Sequence, residues 1–139
     1  MLTQLSQLTF DTDGRYASME ELQFLKDYLK TSDERIKVYK KIRDSEAFLI
    51  EDLEEQTRAA GGNLYKGSKD VSDFFKRDQK YMMKIATAAM LFNDLDFLRE
   101  GELLWHRSIM KAVGCEQPSH VVCQVWPGVL NKYLSPDEW

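Results

Sequence analysis

The chain of 139 residues carries 43% apolar and 30% charged side chains and a net charge of −4. That length fits one domain over residues 1–139, large enough for a core without disulfide or metal staples, and the balance excludes a disordered chain. The acidic surplus argues against nucleic acid as a partner, and the absence of any run of about 18 apolar residues argues against a membrane span.

Residues 1–10 place Leu2, Leu5, Leu8 and Phe10 at helical intervals, which predicts a short amphipathic helix leaning on something else. The turn Asp11-Thr12-Asp13-Gly14 ends it. Ser18 and Glu21 have capping-box spacing and open a helix with Leu22, Leu25, Tyr28 and Leu29 on one face. Thr31 and Glu34 repeat that spacing ahead of one long helix through Ile36, Tyr39, Ile42, Leu49 and Leu53. Gly61-Gly62 is its stop, because glycine adopts the left-handed C-terminal conformation cheaply. Residues 62–69 are expected to be a loop.

A third long helix starts near Asp70, carries Val71, Phe74, Phe75, Tyr81, Ile85 and Ala89, and ends at Asn93-Asp94. A fourth runs from about Leu95 through Leu103, Leu104, Ile109 and Val113 to Gly114. The fifth starts at Pro118-Ser119 and continues through Val121, Val122, Val125 and Leu130. Pro127 lies inside that pattern, lacks the backbone donor, and is expected to kink or split the helix. Nothing alternates with period two long enough to be a strand, so the fold class is all-α.

The residues that carry chemistry are sparse. There is no phosphate-cradling glycine loop, nucleophile elbow or zinc-protease pair, and no enzymatic activity is expected. Glu51-Asp52 and Glu54-Glu55 read as a solvated helix face rather than acid–base pairs. Cys123 is expected in the core, whereas Cys115, after Gly114, is expected in a loop where a thioether to a ligand is the less usual alternative. His106 raises haem ligation as an alternative to a surface or interface role. Arg77 and Asp78 stand out in an aromatic and methionine-rich stripe, and as neighbours they point in different directions around the helix.

The order of these features resembles the phycobiliprotein family. Phe75-Lys76-Arg77-Asp78, Tyr81, Thr87, Ala89-Met90-Leu91 and Asn93-Asp94 are similar to its pigment-bearing helix, which reads Cys-x-Arg-Asp, Tyr, Thr-Tyr-Ala and a Gly-Asp turn. Asp11-Thr12-Asp13-Gly14-Arg15-Tyr16 with Ser18 and Glu21-Leu22 resembles its Asp-x-x-Gly-Arg-aromatic-x-Ser-x-x-Glu-Leu stretch. Residues 109–114 resemble its Leu-Gly-Val junction, so the similarity covers roughly residues 5–126. It implies a globin-like helical domain with an N-terminal helical extension used in dimer contacts. The chain ends at Trp139, about where the family's last helix would begin, which implies that this helix is absent.

The resemblance places the family's pigment cysteine on Phe75, which cannot form a thioether. Its bilin-gripping arginine and aspartate fall on Arg77 and Asp78, and Phe75 and Tyr81 complete the candidate bilin pocket. The family's pairing between an N-terminal aspartate and an arginine of the bilin helix falls on Asp11 and Lys84, with Arg15 beside it in the candidate interface. Replacing arginine by lysine there keeps the charge and loses the bidentate fork.

Three functions follow. The first is an auxiliary protein without covalent bilin that works by contacts with phycobiliprotein subunits or photosystem-associated proteins, or with its own copies, in phycobilisome or photosystem assembly or turnover. The second is a non-covalent bilin binder using Arg77 and Asp78, and the third a haem-based globin-like sensor using His106. The expected location is cytoplasmic, with peripheral attachment to the cytosolic face of the thylakoid membrane as the alternative.

Overall fold

A computed structural model describes residues 2–66 and 68–138. Met1, Gly67 and Trp139, expected at the start of the first helix, in the loop and at the chain end, lie outside them.

Helix α1 (Leu2–Asp11) buries none of its residues, and Leu2, Leu5 and Phe10 are exposed. Its anchor is polar: the Thr3 N–H and hydroxyl donate to the two carboxylate oxygens of Asp94, both at 2.8 Å. The capping box forms as expected before α2 (Gln23–Lys30), with Ser18 N donating to Glu21 Oε2 at 2.7 Å and Glu21 N to Ser18 Oγ at 3.2 Å.

The second capping box does not form. Only Thr31 separates α2 from α3 (Ser32–Asp44), and its hydroxyl donates back to the Asp27 carbonyl at 3.3 Å instead of forward to an amide. The expected single long helix is two. Ser45, at φ −98° and ψ 5°, separates α3 from α4 (Glu46–Ala59).

The core centres on α4. Leu49, Ile50 and Leu53 are fully buried and cluster with Leu64, Phe75, Met83, Val122 and Val129. At roughly 1.5–3 kcal/mol for each fully buried large apolar side chain, this cluster is the main source of stability. Ion pairs brace its edges: Glu54 accepts Lys76 at 2.8 Å and Arg58 at 3.0 Å, and Asp52 takes Lys132 at 2.8 Å. The acidic pairs expected to be plainly solvated are therefore partly used to tie α4 to its neighbours. The Lys76 ammonium, against partial burial and with help from Arg58, holds the Glu54 carboxyl below its usual range.

Helix α4 stops where the glycines predict. Gly61 takes φ +81°, and Gly62 N donates to the Thr57 carbonyl at 2.8 Å. A Cβ on Gly62 would lie 2.5 Å from Thr57 Cγ2 and 2.8 Å from Thr57 O. Gly62→Ala is therefore expected to cost about 1–3 kcal/mol, seen as a lower urea midpoint at unchanged slope. Adding Thr57→Ser removes the methyl clash but not the carbonyl clash, so the double variant recovers only part; an unchanged single-variant midpoint would refute the close approach.

The expected loop contains a minimal antiparallel hairpin, β1 (Tyr65–Lys66) and β2 (Lys69–Asp70), too short to show as alternation. Helix α5 (Ser72–Leu91) follows, and Asn93, at φ 49°, turns the chain out of it. The next helix opens as a π-helical segment (Phe97–Leu103) and becomes regular in α6 (Leu104–Ala112).

Helix α7 (Glu116–Leu130) packs mainly on α4 and runs unbroken through Pro127. The kink fails to appear because Pro127 sits in the last turn, where its missing N–H deprives only the Cys123 carbonyl, on an exposed residue that water can serve. That exposure also corrects the expectation of a core Cys123. The chain closes with a 3₁₀ turn (Pro136–Glu138), where Glu138 pairs with Lys41 at 2.5 Å. The all-α expectation holds but for the hairpin, and no helix among the described residues is long and apolar enough to cross a membrane.

Candidate functional site

Helix α5 presents Phe75, Asp78 and Gln79, at i, i+3 and i+4, on one face. That face meets the hairpin loop on one side and the α6–α7 junction on the other. Between them lies a cleft of about 620 Å³, within the usual range for ligand sites of roughly 300–1,000 Å³. Its walls include Leu64, Phe74, Phe75, Met110 and Val122, with Asp78 and Cys115 among the few polar groups.

Asp78 is half-buried and held from two directions. Its Oδ2 is 3.1 Å from His106 Nε2 on α6 and accepts from the Gln79 side-chain amide at 3.1 Å. Gln79, only 5% exposed, accepts in turn from the Trp126 indole N–H on α7 at 3.1 Å. Beyond Gln79 and His106 lies a second cavity of about 390 Å³, walled by Met82, Met83, Met90 and Trp126 among others. The hydrogen-bonded set forms the partition between the two.

The four candidate pocket residues divide. Phe75 and Asp78 line the cleft together. Arg77 is exposed and does not line the cleft, but its guanidinium lies 5.3 Å from the centre of the ring of Phe74, which does. Tyr81 is half exposed and lines neither cavity, although it lies one turn from Asp78 along α5.

Sequence reasoning missed Gln79 and Trp126. The available signal was a glutamine in the stripe Phe75-Gln79-Met83, where a buried amide demands partners. It also missed that His106 commits Nε2 to Asp78, a geometry that does not favour a haem-ligating role.

The candidate interface residues lie elsewhere. Asp11 is exposed and accepts from Gln7 Nε2 at 2.8 Å. Arg15 is engaged within the chain, forking onto Glu21 at 2.9 and 2.6 Å and donating to the Asp11 carbonyl at 3.1 Å. Together with the Ser18 amide, Arg15 holds the Glu21 carboxyl down to about 2. Lys84 is exposed on α5, 3.5 Å from Glu46.

A family model described as phycobilisome protein matches residues 7–124. The chain is 28% identical over 112 residues to the allophycocyanin subunit beta-18 of Picosynechococcus sp., covering 76% of this chain and 65% of that protein. It is 30% identical over 111 residues to the allophycocyanin alpha-B chain of Pyropia yezoensis, covering 75% and 68%. The chain thus spans about two thirds of the length of these relatives.

Proposed function

Because the chain belongs to the phycobilisome protein family and shares its all-α, globin-like fold, we propose that it holds a linear tetrapyrrole non-covalently in the cleft beside Phe75 and Asp78. The observation that carries this is the cleft itself, about 620 Å³ with apolar walls and one carboxylate. The side chains present fit such a group. Phe74, Phe75, Leu64 and Met110 offer faces for pyrrole rings, Asp78 an acceptor for pyrrole N–H, and Arg77, beside Phe74, a partner for a propionate that extends out of the cleft. A bilin bound there would supply visible light absorption. Position 75 has no thiol, so it offers no thioether.

The role is non-enzymatic, and its setting is a phycobilisome or photosystem assembly at the cytosolic face of the thylakoid, among phycobiliprotein-type subunits. Asp11 and Lys84, both exposed, remain the proposed subunit contacts; Arg15 shapes the turn between α1 and α2. A purely contact-based auxiliary role is the second reading, favoured by Leu2, Leu5 and Phe10 standing exposed on α1.

Adding phycocyanobilin to the purified protein separates the two. The expected result is a strengthened red band that saturates at one bilin per chain and co-elutes with the protein on gel filtration. An unchanged spectrum with no co-eluting pigment leaves the contact role alone.

A further inference from the structure

The hydrogen bonds through Trp126, Gln79, Asp78 and His106 can be directed unambiguously. An indole N–H only donates, so the Gln79 carbonyl oxygen must face Trp126, and its NH₂ group then faces Asp78. An ionised carboxylate only accepts, so His106 must carry its proton on Nε2 toward Asp78. Both donors converge on Oδ2 of Asp78, which leaves Oδ1 as the acceptor for whatever occupies the cleft that Asp78 lines.

From this we infer that His106 is the positioning residue of the cleft: through its Nε2–H it fixes the Asp78 carboxylate where it receives the pyrrole N–H groups of a linear tetrapyrrole. This rests on the reading of the cleft given above. His106 lines the second cavity and not the first, so it acts on the ligand only through Asp78. Gln79, itself held by the Trp126 indole, donates to the same oxygen, so three helices, α5, α6 and α7, share the task. The residue has a defined chemical job, a single donor at the reach of an imidazole Nε2, which the side-chain amide of glutamine reproduces and leucine does not. A carboxylate free to rotate would still attract the ligand but would hold its central rings loosely, and an open-chain tetrapyrrole held loosely absorbs in a broader and weaker red band.

The test compares wild type, His106→Leu and His106→Gln, each titrated with phycocyanobilin, with melting temperature recorded for each. H106L is expected to bind about tenfold more weakly, the scale of one lost hydrogen bond to a charged group, and to lower the ratio of red to near-ultraviolet absorbance. H106Q is expected to restore both to near wild-type values even where its melting temperature does not recover. An H106L spectrum and affinity equal to wild type would overturn the positioning role while leaving tetrapyrrole binding intact. Failure of wild type to take up the pigment at all overturns the reading of the cleft, and this inference with it. A ligand-free measurement stands beside these should H106L not fold: nitrogen-edited NMR of the imidazole is expected to show the Nε2–H form in wild type, disturbed in Asp78→Asn. An Nδ1–H form in wild type would refute the arrangement directly.

Discussion

Replacing Phe75 by cysteine is expected to turn a reversible pigment complex into a covalent one. Phe75 is 8% exposed and its ring lines the cleft, so a sulfur at this position would sit at the wall against which the ligand lies. The family resemblance places the pigment thiol at the same position. The substitution also removes a core ring, and truncating a buried phenylalanine costs about 3–5 kcal/mol. Phe75→Ala is the control, with the same space and no nucleophile. After incubation with phycocyanobilin and denaturation, F75C is expected to gain the mass of one bilin, while wild type and F75A gain none. Two results would count against the proposal. Label on wild type traced to Cys115, which lines the same cleft, would show that the chain attaches pigment from a different helix. An F75C protein that binds pigment reversibly but never covalently would show that position 75 is remote from the reactive end of the ligand.

Local chemistry was the legible part of this fold. Ser18 and Glu21 cap each other as their spacing dictates, and Gly61 stops α4 with the positive φ that only a residue without Cβ takes cheaply. The breaks were not legible. Hydrophobic positions on either side of Ser45 continue in helical register, so a one-residue interruption leaves no mark on periodicity. The π-helical opening at Phe97–Leu103 escapes for a related reason, because one wider turn displaces the apolar face too little to notice in seven residues. Thr31 and Glu34 have the spacing of a capping box, but no free chain precedes them to be capped. Cys123 could have been placed: Val122, Val125 and Val129 form the inward stripe of α7, and Cys123 lies off it.

The candidate site follows the same division. Helical arithmetic groups Phe75 with Gln79 on the inward face and Arg77 with Tyr81 and Lys84, at i, i+4 and i+7, on the outward one, with Asp78 between the two sets. The family motif follows chain order and so spans both sets. The partners of Asp78 lay beyond sequence reasoning, because His106 and Trp126 reach α5 from α6 and α7 through packing that no local pattern encodes.

Asp94 is where the N-terminal helix is won or lost. It is 5% exposed, accepts two hydrogen bonds from Thr3 at 2.8 Å, and caps the helix that begins beside it by accepting from Phe97 N at 3.3 Å. Because α1 buries no side chain of its own, little else described holds it. Asp94→Ala is expected to cost about 2–4 kcal/mol, combining a lost cap with lost charge-assisted bonds. The loss should be uneven, with amide exchange in α1 rising far more than in α4. Asp94→Asn should fall between, since one carbonyl oxygen cannot replace two carboxylate oxygens. The pH dependence has a definite sign. Burial works to raise the Asp94 pKa, but the Thr3 amide and hydroxyl and the Phe97 amide outweigh it and leave it lowered. A carboxyl with a lowered native pKa contributes its full stabilisation above its unfolded value of about 3.9 and loses it as pH falls through the native one. The gap between wild type and D94N in urea midpoint should therefore be constant from about pH 5 to 7 and close below about pH 4. A gap that persists in acid, or an α1 as well protected in D94A as in wild type, would mean that the helix is held by something other than this carboxylate.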